Sequence, residues 1–166
     1  MFEKFGEMES YTQINELATN LKVEGDIESL KQMAAENGID TDICDAFIQG
    51  DIPELTDAMS AAIGKIEIEE AELKHKEEII SDWINYIKAS CMDSEDVAKA
   101  VRMKGKSLNG VIAYILTWSF KNAYAVDEDI IKAAKVSGRV KMGIPGMGTA
   151  KRLIKEYYTG GKNEKK

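Results

Sequence analysis

The residues with the clearest chemical potential lie between Gly143 and Tyr158, in the stretch GIPGMGTAKRLIKEYY. Gly146-Met147-Gly148 behind Pro145 predicts a tight turn, and Thr149 has the type and place of a helix N-cap. Leu153, Ile154, Tyr157 and Tyr158 then recur at three- and four-residue steps. That spacing puts them on one side of a short helix and leaves Lys151, Arg152 and Lys155 largely off it. A helix start of this kind presents backbone N–H groups with no intrahelical acceptor, which an anion such as phosphate satisfies. Arg139 and Lys141, just upstream, add positive charge, and only Glu156 opposes it. The candidate nucleic-acid-binding set is therefore Arg139, Lys141, Gly146, Gly148, Thr149, Lys151, Arg152 and Lys155. The competing explanation is that the two glycines only connect packed helices. Tyr157 and Tyr158 are able to stack on unpaired bases, but their helical spacing equally suits a core.

Elsewhere the chemistry is sparse. His75 is the single histidine and stands among Lys74, Lys76 and Glu77, so it reads as a solvated side chain and supports neither a paired-histidine metal site nor His-based catalysis. Asp40, Asp42 and Asp45 have the beginning of a calcium-loop spacing, but Asp45 takes the place where that loop needs glycine, and no glutamate closes it. Cys44 and Cys91 lack any metal-ligand spacing and read as buried, reduced thiols. No phosphate-binding GxxxxGK[ST] loop and no nucleophile-elbow serine occurs. The expectation is a non-enzymatic protein with no catalytic residue, no metal and no cofactor.

Charge divides the chain. Its 166 residues carry a formal net charge of -7, but residues 1–97 hold 7 Lys+Arg against 24 Asp+Glu, and residues 98–166 hold 15 against 5. A basic segment in an acidic protein suggests contact with phosphate, whereas the acidic part repels it. Mutual neutralisation of the two parts is the alternative. The opening MFEKFGEMESY is acidic and polar, which predicts no signal peptide, and the apolar run Leu108 to Phe120 is too short and too interrupted to span a bilayer. A cytoplasmic protein with no membrane partner is expected.

The elements that must position these residues are helical throughout. Ile14, Leu17, Ala18 and Leu21 share one helical face that ends at Gly25. Asp26 caps a second helix with Leu30, Met33 and Ala34 inward, closing at Asn37-Gly38, and Asp40 to Ile48 forms a brief third before Gly50. Asp51 and Glu54 have capping-box spacing with Pro53 in the first turn. Gly-Asp-Ile occurs at 25–27 and again at 50–52, a shared helix start and not a true repeat. Lys65 to Ser90 carries the longest pattern, through Leu73, Ile80, Trp83, Ile84 and Ile87 to Cys91, with an acidic first half that reads as a solvated arm. Asp93 or Ser94 restarts a helix that reaches Met103. Ser107 caps LNGVIAYILTWSF, apolar nearly all round and so the expected central helix of the C-terminal part. Asp127 caps Ile130 to Val136, and Arg139 to Met142 reads as an extended link or one short strand. The predicted architecture is all-α, a multi-helix bundle: an acidic helical part over 1–64, a long connecting helix over 65–92, a basic helical domain over 93–159 and a disordered tail over 160–166.

Three comparisons refine this. The second and third helices fit a helix-turn-helix template, but the second helix presents Asp42, Asp45 and Gln49, and no Lys or Arg occurs between Lys31 and Lys65. Carboxylates facing phosphates cost affinity, so DNA reading by this unit is excluded. The turn Ile144-Pro145-Gly146-Met147-Gly148 between two predicted helices resembles the helix-hairpin-helix motif, whose Pro-Gly-apolar-Gly turn presents N–H groups to a nucleic-acid phosphate. Arg152 stands where that family usually has alanine. Lys106 to Ala134, with KSLNGVIAYIL followed by AVDEDIIKAA, resembles the PcfK-like proteins of Gram-positive conjugative elements. That resemblance implies a mobile-element accessory protein. Two functions follow as expectations: nucleic-acid binding with little sequence specificity through the basic part, or a protein-interaction adaptor whose acidic helices dock a basic partner.

Overall fold

The computed structural model describes residues 3–160, and the expected tail lies outside them except for Gly160. The protein is all-α. In chain order its elements are α1 (Tyr11–Glu24), α2 (Ile27–Glu36), α3 (Thr41–Gln49), α4 (Ala58–Glu72), α5 (Ile79–Asp93), α6 (Glu95–Arg102), α7 (Leu108–Lys121), β1 (Tyr124–Ala125), α8 (Glu128–Ala133), β2 (Lys141–Met142) and α9 (Met147–Thr159). The chain forms two compact units, residues 1–109 and 110–166. The first holds 11 Lys+Arg and 24 Asp+Glu, the second 11 and 5.

In the first unit the local signals are met. Gly25 and Gly50 end α1 and α3 in the left-handed conformation, at φ 76° and 87°, where glycine carries no Cβ penalty. Asp26 accepts the Ser29 N–H to cap α2, and Ser94 accepts that of Val97 to cap α6. Ile14, Ala18, Leu30, Met33, Cys44, Phe47 and Leu55 form the core of this region. The expected capping box is absent: residues 51–57 form no helix but a link with bends at 51–53 and 55, and Asp57 caps α4 by accepting the Ser60 N–H at 2.6 Å.

The expected long helix over 65–92 is two helices. Lys88 Nζ lies 2.7 Å from Glu70 Oε2, whereas 18 residues along one straight helix would separate them by about 27 Å. The break falls in Lys74-His75-Lys76-Glu77-Glu78, a polar run with no apolar stripe to hold a helix against the core, and Glu78 reverses the chain at φ 55°. His75 is exposed in this loop. Folding back packs α5 against both α4 and α6.

The acidic second half of α4 is no solvated arm. Lys65 and Glu69 are buried, together with Arg102 of α6. Lys65 Nζ donates to Glu7 Oε1 at 2.6 Å and to the Met103 carbonyl at 3.0 Å. Arg102 donates to the Met8 carbonyl and to Asn37 Oδ1, and Glu69 Oε2 accepts the Leu108 N–H at 2.6 Å. These bonds tie the N-terminal segment, the end of α2, α4, α6 and the first residue of α7 together. Burial is the largest influence on Lys65 and lowers its pKa, and burial raises that of Glu69. Burial pushes the Glu7 carboxyl up as well, but hydrogen bonds from Lys65 and the Gly105 N–H bring it below its ordinary value.

In the second unit, α7 is not wrapped on all sides. Val111, Ile115 and Ser119 are buried, whereas Leu116 and Phe120 are 51% and 77% exposed. The segment Arg139 to Met142 supplies one strand of a two-stranded antiparallel ribbon, with Tyr124 opposite Met142 and Ala125 opposite Lys141. Among the described residues no helix is long and apolar enough to cross a membrane.

Candidate nucleic-acid interface

All the predicted site residues fall in the second unit, on β2, α9 and the loops beside them. Helix α9 has the expected two sides: Ala150, Leu153, Ile154 and Tyr158 are buried, and Gly148, Lys151, Arg152 and Lys155 are exposed. Arg139 and Lys141 are exposed upstream. Among the described residues, Arg139, Lys141 and Lys155 form no ion pair, so their charge is not neutralised in place. Arg152 is partly neutralised: its Nη1 lies 2.5 Å from Glu156 Oε1, one turn on. Glu156 also accepts a long hydrogen bond from the Tyr114 hydroxyl at 3.4 Å.

The helix start differs from the expected one. Gly146 itself is the N-cap, at φ -63° and ψ 161°, and no side chain caps the helix. Thr149 lies inside the first turn, because the helix begins three residues earlier than a threonine cap requires. The first intrahelical bond runs from Ala150 N–H to the Gly146 carbonyl at 3.0 Å, so the amides of Met147, Gly148 and Thr149 precede it. Neither Gly146 nor Gly148 needs to be glycine for space, since a Cβ at either meets nothing within 4 Å. The glycine this stretch requires is Gly143. A Cβ there would lie 3.0 Å from Ala123 Cβ and still closer to the Ser119 carbonyl, so its absence lets the chain pass against the end of α7 and enter α9.

The tyrosines belong mainly to packing. Tyr158 is buried, and Tyr157 is half-buried, with its ring 6.1 Å from Tyr114 and 4.9 Å from Tyr158. The geometry thus gathers exposed cations on one side of α9 and holds that side with an apolar seam opposite. Exposed cations so arranged carry the charge that a phosphodiester backbone pairs with.

The sequence reading passed over a second feature, in the first unit. A groove of about 640 Å³ is bordered by α3, the 51–57 link, α4 and the end of α5. It is mainly apolar, and its only charged lining residues are acidic. Its floor depends on Gly38 and Gly64, whose backbones touch. The absence of Lys and Arg between Lys31 and Lys65 foretells only the sign of its charge, not the groove itself.

Comparison with family models, with curated proteins and with solved structures found no match.

Proposed function

We propose that the chain is a non-enzymatic, cytoplasmic nucleic-acid-binding protein that holds the phosphate backbone with the exposed cations of α9 and β2. The observation that carries the reading is the solvent side of α9, where Lys151, Arg152 and Lys155 recur at helical spacing on a face whose opposite side is buried. Arg139 and Lys141, which form no ion pair among the described residues, extend the positive charge, and the uncapped start of α9 adds N–H groups that favour an anion. Binding through such groups is strong at low salt and nearly blind to sequence. The resemblance of residues 106–134 to PcfK-like proteins fits an accessory role on a mobile element, where nucleic acid of varied sequence must be held. The experiment is titration of labelled single- and double-stranded DNA and RNA at two salt concentrations. Affinity that falls steeply with salt is expected; no binding of any of the four at low salt ends the reading.

A further inference from the structure

The groove of the acidic unit is charged and apolar in a way that specifies an occupant. Its apolar lining includes Ile43, Met59 and Met92, which share one groove and remain 46%, 41% and 63% exposed. Asp40, Glu54, Asp57 and Glu67 stand around it, all exposed, and no Lys, Arg or His lines it. Asp57 already caps α4, which leaves three carboxylates without a structural task among the described residues. The two methionines, on α4 and α5, are unbranched and adapt to a partner's side chains. The volume of about 640 Å³ suits three or four aliphatic side chains, roughly what one helix face presents over two turns.

We propose that this groove docks a cationic amphipathic helix of a partner protein, its apolar side in the groove and its Lys or Arg side chains against Asp40, Glu54 and Glu67. An acidic or uncharged helix leaves those carboxylates unpaired or repelled, so the rim selects for positive charge. The chain's own basic helix does not suit the role, because the apolar side of α9 is already buried. The groove is built from the first unit alone and the cations assigned to nucleic acid belong to the second, so its test does not depend on them.

The probe is a fluorescein-labelled helical peptide of leucine and lysine only, with leucines at i, i+3, i+4 and i+7. A leucine–glutamate peptide of the same pattern and a scrambled leucine–lysine peptide serve as comparisons. The patterned cationic peptide binds the full chain at least tenfold more tightly than either. Ile43→Ser/Met59→Ser/Met92→Ser lowers that affinity at least tenfold, Asp40→Asn/Glu54→Gln/Glu67→Gln lowers it about tenfold, and Val23→Ser, an exposed apolar change on α1, leaves it unchanged. In the unaltered protein the methyl resonances of Met59 and Met92 shift on binding, a readout that does not depend on how the variants fold. Equal binding of the glutamate peptide, equal binding by both groove variants, or unmoved Met59 and Met92 resonances overturns the proposal. So does a dimer of the protein alone that the serine variant dissociates, since the groove then belongs to a second copy.

Discussion

Lys65 Nζ meets Glu7 Oε1 at 2.6 Å in the interior of the acidic unit, where the lysine side chain is 2% exposed and the glutamate 24%. A buried ion pair contributes little net stability against apolar substitutes, but removing one partner strands the other. Glu7→Ala is therefore expected to cost about 2–3 kcal/mol in urea denaturation. Glu7→Ala combined with Lys65→Met costs at least about 1 kcal/mol less than the sum of the single changes. Additive costs would show that the pair is not coupled.

Glu69 gives the same cluster a pH dependence. Burial raises its carboxyl above the ordinary 4.5, against the opposing pull of the Leu108 N–H and the Lys65 ammonium. The folded state thus holds the proton more tightly than the unfolded chain, and this group's contribution is full below pH 4.5 and lost as pH rises through its folded-state pKa. Glu69→Gln removes that loss. The stability of the variant relative to the unaltered protein should rise across this window, read from denaturant midpoints at stepped pH; a constant difference contradicts the assignment.

The glycines separate structural need from sequence appearance. A Cβ at Gly64 would lie 2.6 Å from the Gly38 carbonyl oxygen, whereas one at Gly148 meets nothing within 4 Å. Gly64→Ala is expected to destabilise by about 1–3 kcal/mol through overpacking. Gly148→Ala, inside a helix, is expected to stabilise by about 0.5–1 kcal/mol. Thermal unfolding of the two variants checks the contrast, and the reverse order would contradict it.

Much of the first unit is legible because its helices carry their own punctuation. Gly25 and Gly50 stop α1 and α3, Asp26 and Ser94 start α2 and α6, and the spacing of Ile14, Ala18 and Leu21 matches their burial. The break between α4 and α5 is not legible, since no glycine or proline marks it and only packing on α6 selects the fold-back. The apolar character of α7 was visible, but not that Leu116 and Phe120 stay exposed. The cations of α9 were readable from periodicity, whereas its cap was not. The Gly38–Gly64 approach and the groove above it arise from residues distant in sequence, and no local pattern encodes them.

The α7 side chains make that difference measurable. Phe120→Ser should change stability by no more than about 0.5 kcal/mol, as a surface substitution does. Ile115→Ala, at a fully buried position, should cost about 2–4 kcal/mol. A large cost at Phe120 would mean that this face is covered.

The proposed nucleic-acid binding turns on the exposed cations of β2 and α9 and the loops beside them. The most direct measurement is the slope of log Kobs against log salt concentration for a labelled DNA duplex, for the unaltered protein and for Arg139→Ala/Lys151→Ala/Arg152→Ala. The unaltered protein should bind at low salt with a clearly negative slope, and the variant should bind at least tenfold more weakly with a slope shallower by about two to three. Absence of binding at low salt, or the same affinity and slope in the variant, would contradict the account.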